Sequence, residues 1–134
     1  MIGARILVDK LAFHLTGIHR GDIVVFRRPP GEPVHVADLV KRVIGLPGET
    51  ISPAPDGAVL IDGRPIGQPW LSASARGNPG GPITTTRIPA GHYFVMGDDR
   101  GNSSDSRVFG PISRSLIVGR ADARIWPLGH AGGL

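Results

Sequence analysis

The 134-residue sequence is long enough for one domain with a sizeable core, and 40% hydrophobic residues exclude a disordered composition. With 20 glycines and 13 prolines, short strands and turns are favoured over long helices, and the lack of cysteine excludes disulfides and cysteine-ligated metals. The net charge of +4 would suit a nucleic acid or an anionic membrane, but the arginines are spread along the chain. No apolar run in the sequence approaches the roughly 20 residues of a membrane helix.

Short strands separated by glycine and proline turns are predicted along the chain. Between the strands, residues 67–82 form a long loop in which Trp70 and Leu71 are the only large apolar side chains. The segment 48–95 is predicted to be an excursion between two stretches that carry chemistry. The predicted strands cover residues 5–10, 23–27, 39–44, a hairpin at 59–66 around Asp62-Gly63, 83–88, 92–96 and 117–126, with one helical turn at 113–116.

Lys41 is unusual because it lies inside a predicted apolar strand. A period of two places it on one face with Leu39 and Val43, while Val40 and Ile44 occupy the other. A lysine in such a strand either extends its amine to water or loses its proton through a depressed pKa. A neutral lysine can act as a base, which an arginine cannot do at physiological pH. The strand by itself leaves both interpretations open.

The stretch 97–107, here called the polar loop, contains no apolar residue. A solvated turn is one interpretation, since Gly, Asp, Asn and Ser are common turn formers. A calcium loop fits poorly, because Arg100 and Ser103 would occupy a ligand position and the glycine position. A two-metal polymerase hairpin at Gly97-Asp98-Asp99 lacks a second carboxylate cluster. In a fourth interpretation, charge pairs make the loop rigid and a serine hydroxyl orients Lys41.

Three ordered motifs resemble those of type I signal peptidases, which are membrane-bound Ser-Lys endopeptidases. They are Gly21-Asp22-Ile23-Val24-Val25-Phe26, then Lys41-Arg42-Val43-Ile44-Gly45-Leu46-Pro47-Gly48-Glu49, and then the polar loop Gly97-Asp98-Asp99-Arg100-Gly101-Asn102-Ser103-Ser104-Asp105-Ser106-Arg107. Val118-Gly119-Arg120-Ala121 with Trp126-Pro127 also resembles the last strand of that family. The resemblance extends from Arg5 to Trp126 and implies an all-β fold of coiled, mainly antiparallel, partly barrel-like sheets.

The resemblance implies a role for each matching residue. Lys41 corresponds to the general base, and Ser103 to the hydroxyl that orients it. The family chemistry is acyl transfer, in which a serine attacks the scissile carbonyl and the neutral lysine accepts its proton. This chemistry requires no cofactor and no metal. The charged residues that would support the site are Asp98, Arg100, Asp105 and Arg107.

The same resemblance implies the substrate and the location. The partners would be preprotein signal peptides with small residues before the cleavage site, bound at a cell membrane with the catalytic domain on the extracytoplasmic side. Nucleic acid is not an expected partner. The residues that would line the shallow apolar pockets for the substrate are Ile6, Val25, Leu39 and Val40.

One departure from the family concerns the nucleophile. The resemblance places it in a Ser-Met-x-Pro-Thr-type motif before the position of Gly3, and no such pattern occurs in the 134 residues. We therefore expect residues 1–134 to be a single catalytic core without its nucleophile segment and membrane anchor. Truncation, a wrong start and a true loss are all compatible with this departure. The expectation is that this exact polypeptide does not cleave preproteins.

Two other functions are compatible with parts of the sequence. A non-catalytic β-module could hold an extended peptide by strand addition. A basic β-barrel could bind nucleic acid, although aromatic residues make up only 5% of the chain, which is few for a base-stacking surface.

Overall fold

Two antiparallel sheets form the framework of the protein. The computed structural model describes residues 17–29, 38–73, 77, 79–102 and 104–121. The predicted strand at 5–10, Ile6, Ser103 and the end of the last predicted strand lie outside these residues. Along the described chain the strands are β1 (Ile23–Arg27), β2 (Asp38–Gly45), β3 (Thr50–Pro53), β4 (Val59–Ile61), β5 (Arg64–Pro65), β6 (Thr86–Arg87), β7 (His92–Met96), β8 (Ile112–Ser113) and β9 (Ile117–Ala121).

The larger sheet has the strand order β8-β7-β2-β1-β9, and the smaller sheet has the order β5-β4-β3-β6. All strand pairs among the described residues are antiparallel, which confirms the prediction of an all-β, mainly antiparallel fold. The predicted hairpin around Asp62 is also present as β4 and β5, and Asp62 adopts a positive φ of 52° in its turn. The long central strand β2 pairs with β1 on one side and with β7 on the other.

The larger sheet is covered on both faces, because two hydrophobic cores lie on its opposite sides. Residues 23–26 of β1 are all buried, and they are accordingly apolar at consecutive positions instead of alternating. Core A consists of Ile18, Val24, Phe26, Val43, Tyr93, Val95, Ile112 and Ile117. Core B lies between the two sheets and consists of Ile44, Ile51, Val59, Ile61, Ile83, Ile88, Phe94 and Met96.

Local differences from the predicted elements have identifiable causes. The threonine-rich segment 83–88 forms only the short strand β6, because Ile83 and Ile88 pack in core B while pairing with β3 is limited to Thr86 and Arg87.

Strand β3 was not predicted. A short helix, α1 (Ser106–Phe109), was also missed; it begins where the buried Asp105 accepts a hydrogen bond from the backbone of Arg107. The predicted turn at 113–116 is a 3-10 turn at Arg114–Leu116.

A charge-assisted clamp holds the turn after β2 against the turn before β1. Arg20 Nη1 and Nη2 donate to the two carboxylate oxygens of Glu49, at 2.7 and 2.8 Å, and Nη1 also donates to Ile44 O. The amide of Leu46 donates to the same carboxylate. Hydrogen bonding from Arg20 is the main reason that the pKa of Glu49 is lowered. The clamp therefore depends on the ionised form of Glu49.

Replacing Glu49 with glutamine is expected to make stability less dependent on pH. Since the folded-state pKa of Glu49 is lowered, the ionised carboxylate contributes fully to the free energy of unfolding above the unfolded pKa of about 4.3. This contribution disappears as pH falls through the folded pKa. We expect Glu49→Gln to cost about 1 kcal/mol at neutral pH and much less near pH 3. Urea denaturation at both pH values measures this difference. Asp56→Asn, at an exposed carboxylate, is the control; an equal loss at both pH values would contradict the prediction.

Candidate active site

Lys41 lies in the middle of the larger sheet. It is only 5% exposed and pairs with Val24 across the β1–β2 ladder. Strand alternation places it on the face of core A, with Val43 and the half-buried Leu39 as its neighbours along the strand. Because burial in apolar surroundings disfavours a charged amine, this position suits a lysine that works in its neutral form.

Because the Lys41 residue is only 5% exposed, we expect its amine to titrate below the usual lysine pKa of about 10.4. The chain contains two lysines, Lys10 and Lys41, so lysine side-chain labelling yields two NMR signals. The Lys41→Arg variant identifies the Lys41 signal by its disappearance. A Lys41 signal that titrates at or above the usual value would contradict the proposed base.

Arg42 points to the opposite face and joins four segments of the chain. Its Nε and Nη2 donate to the two carboxylate oxygens of Asp98, at 3.0 and 2.8 Å, and Nη1 donates to Gly21 O at 2.9 Å. The guanidinium also lies over the ring of Trp70, with Cζ 4.9 Å from the centroid. These contacts hold β2 to the turn before β1, to the polar loop and to the segment between β5 and β6.

A second ion pair lies within the polar loop. The fully buried Asp105 accepts hydrogen bonds from Gly97 N and from the backbone N, Nε and Nη2 of Arg107, all at 2.8–3.0 Å. Arg107 Nη1 in turn donates to Pro79 O at 2.8 Å. The hydroxyl of the next residue, Ser106, accepts from Val95 N in β7. The polar loop is therefore fixed at both ends by buried, charge-assisted hydrogen bonds.

Arg100 is the third buried arginine of this region. Its Nε donates to Gly97 O at 2.7 Å and Nη2 donates to Gln68 Oε1 at 2.6 Å. Desolvation by burial lowers the pKa of Arg100 to about 10, and the nearby Arg107 charge acts in the same direction. The guanidinium therefore remains charged at neutral pH, and its hydrogen bonds go to neutral acceptors.

The polar loop starts beside Lys41. Arg42 is the β2 partner of Met96, and the loop begins at the next residue, Gly97. The structure thus brings the predicted supporting residues to the end of β7, next to the strand that carries Lys41. Ser103, the predicted orienting hydroxyl, lies outside the described residues, so its role stays a prediction.

Three of the four residues predicted to line the substrate pockets are described, and they lie on two faces of the larger sheet. Val25 and Val40 are cross-strand partners on β1 and β2, and both are buried. Leu39 packs against core A, on the same face as Lys41. The fourth residue, Ile6, lies outside the described part of the chain. Their role in substrate binding stays a prediction.

Sequence reasoning missed the contributions of Arg42, Gln68 and Trp70. Arg42 was identified only as part of the second motif and was assigned no ion pair. Its position on the same strand face as Val40 and Ile44 is nevertheless a signal of a buried ion pair. Trp70 was recognised as an apolar anchor of the loop 67–82, but its contact with Arg42 depends on the packing of the segment between β5 and β6 against β2.

Comparison with known proteins decides the family. The family model described as "Signal peptidase, peptidase S26" matches residues 1–126. The chain belongs to this signal peptidase family. It is 37% identical over 139 residues to signal peptidase I of Leptolyngbya laminosa, covering 99% of the chain and 65% of that protein. It is 39% identical over 127 residues to signal peptidase I V of Bacillus subtilis strain 168, covering 87% of the chain and 72% of that protein.

The fold agrees with the signal peptidase family. A crystal structure of a signal peptidase I from Enterococcus faecalis V583 superposes with a TM-score of 0.61 at 32% identity, covering 76% of this chain and 94% of that one. The chain spans about two thirds of the length of the relatives named above. Within the described residues, no helix is both long enough and apolar enough to cross a membrane. The comparisons favour the peptidase hypothesis over a non-catalytic module or a nucleic-acid-binding barrel.

Proposed function

We propose that this chain forms the base-carrying core of a Ser-Lys endopeptidase that removes signal peptides from exported preproteins. The observation that carries the proposal is a buried lysine, Lys41, in an apolar strand beside a loop held by two ion pairs. Within a signal peptidase family, a neutral amine at this position supplies the base that a serine nucleophile needs. In this proposal residues 1–134 act as one catalytic core.

In the proposed mechanism, a serine hydroxyl attacks the carbonyl carbon of the scissile bond while the neutral amine of Lys41 takes the hydroxyl proton. The resulting ammonium returns a proton to the leaving amino group, which yields an acyl-enzyme and the mature protein. Lys41 then takes a proton from water while the water oxygen attacks the ester. The lysine ammonium returns this proton to the serine oxygen as the signal peptide is released. Ser103 orients the amine, while the Asp105–Arg107 pair and Asp98 keep the polar loop in place.

The proposed substrate segment is extended and carries small residues before the cleavage site. Val25, Val40, Leu39 and Ile6 provide shallow apolar pockets that accept small side chains and exclude large ones. Cleavage takes place at a cell membrane, on the extracytoplasmic side. No cofactor or metal takes part.

The experiment compares two proteins on one preprotein that ends its signal peptide in Ala-x-Ala. One is the 134-residue chain. In the other, a segment of a signal peptidase I relative that carries a Ser-Met-x-Pro-Thr-type motif precedes residue 1. We expect cleavage after Ala-x-Ala by the second protein and none by the first, because the sequence contains no copy of that motif.

Two results would count against the proposal. Cleavage of the preprotein by the 134-residue chain alone would show that no added serine segment is needed as nucleophile. Failure of a folded extended protein to cleave would reject the core as a functional peptidase. Replacing the serine of the added motif with alanine is the control, and it should abolish the activity of the extended protein.

A further inference from the structure

A cavity of about 150 Å³ lies beside core B, away from the face that carries Lys41. Its walls come from the smaller sheet and its turns, from the segment before β6 and from the start of the polar loop. Leu71, Ile83 and Met96 provide apolar walls, together with the buried Val59 of β4. A cavity of this volume accommodates a molecule of about the size of benzene.

The cavity also contains a cation that has no carboxylate partner. Arg42 pairs with Asp98 and Arg107 pairs with Asp105, at 2.8 Å in each case. Arg100 lines the cavity, and it forms no ion pair with any residue of the described part of the chain. Burying an arginine against neutral acceptors is costly, so an anion beside it would be stabilised.

The hydrogen bonds of Arg100 leave one nitrogen for a ligand. Nε is engaged by Gly97 O and Nη2 by Gln68 Oε1, whereas Nη1 donates to no described residue. Gln68 lines the same cavity, and its carboxamide oxygen fixes the orientation of the guanidinium. The guanidinium is therefore held in place before a ligand arrives, which reduces the entropic cost of binding.

One acidic residue also lines the cavity. Asp56 is exposed, and its Oδ1 already accepts a hydrogen bond from Ala58 N at 3.0 Å. Its charge faces water and is screened, unlike that of the buried Arg100. The charges of Asp98 and Asp105 also act on Arg100, but these two carboxylates are paired with Arg42 and Arg107. The electrostatics beside Arg100 therefore favour an anion.

We propose that this cavity binds a small organic carboxylate, with the carboxylate on Nη1 of Arg100 and a short apolar tail against Met96, Val59 and Ile83. An inorganic anion would leave the apolar walls without a partner, and a neutral molecule would leave Arg100 without an anion in direct contact. This inference goes beyond the proposed peptidase function and does not depend on it, because binding can be measured without turnover.

Met96 provides a direct measurement of occupancy. The chain has two methionines, Met1 and Met96, so methyl labelling of methionine yields two NMR signals. Sodium propionate, titrated at constant ionic strength, is expected to shift the Met96 signal saturably in the millimolar range. Propionamide, the neutral analogue, and chloride should produce no comparable shift. The variant Met96→Leu identifies the signal.

Two variants and one control test the contacts. Arg100→Gln should weaken propionate binding at least about tenfold, since it removes a charge-assisted hydrogen bond. Val59→Phe should fill the cavity and abolish the saturable shift while retaining Arg100. Arg64→Gln removes an exposed arginine and should leave the affinity unchanged. Unchanged propionate binding by a folded Arg100→Gln variant would overturn the proposal. If both cavity variants fail to fold, equal responses of the unmodified chain to propionate and propionamide would overturn it.

Discussion

Replacing Lys41 with methionine is expected to reduce cleavage of a preprotein by at least about a thousandfold in the nucleophile-extended protein. The change removes the amine that accepts the serine proton, whereas methionine keeps the unbranched shape and fills the same apolar site. Because Lys41 is 5% exposed, losing its amine should not destabilise the sheet. The measurement is kcat/KM on an Ala-x-Ala substrate, together with the free energy of unfolding in urea.

Arg64→Gln is the matched control, because it also replaces one basic side chain but lies at an exposed position of β5. It should retain full activity. A Lys41→Met protein that is stably folded and still cleaves at a rate near that of the parent would eliminate Lys41 as the base. A loss of activity that accompanies unfolding would point to a structural role for the lysine instead.

Asp105→Ala is expected to destabilise the protein by about 3–5 kcal/mol. Asp105 is fully buried, and it accepts hydrogen bonds from Gly97 N and from three nitrogens of Arg107. Its removal leaves a guanidinium buried without its counter-charge and a buried amide without an acceptor. It also removes the side chain that caps α1, which adds about 1 kcal/mol to the loss. Urea denaturation measures the change.

The double variant Asp105→Leu with Arg107→Met separates the cost of the unpaired Arg107 charge from the cost of the lost hydrogen bonds of Asp105. If the unpaired charge dominates, removing both partners should restore a large part of the stability that Asp105→Ala loses. Asp56→Ala, at an exposed carboxylate, should cost no more than about 1 kcal/mol. A loss below 1 kcal/mol for Asp105→Ala would show that the ion pair does not hold the polar loop in place.

Much of the fold could be predicted because local patterns are strong in this chain. The strand Ile23–Arg27, the Asp62-Gly63 turn and the strand His92–Met96 all match observed elements. The elements that were missed or misjudged depend on partners that are distant in sequence. Strand β6 is short because its pairing with β3 is limited to Thr86 and Arg87, and β3 itself carries no strong alternating pattern.

For the candidate site, the sequence by itself determined the face of the strand on which Lys41 lies, while the Ser-Lys chemistry was implied by the family resemblance and stays a proposal. Residue order and a period of two place Lys41 with Leu39 and Val43, and a rigid loop of paired charges was one of four interpretations of the polar loop. Only the tertiary structure decided which charges pair. Arg42 meets Asp98, 56 positions away, and Arg100 is left on neutral acceptors beside a cavity. These pairings follow from the register of β2 against β7 and the packing of Trp70, which no local pattern encodes.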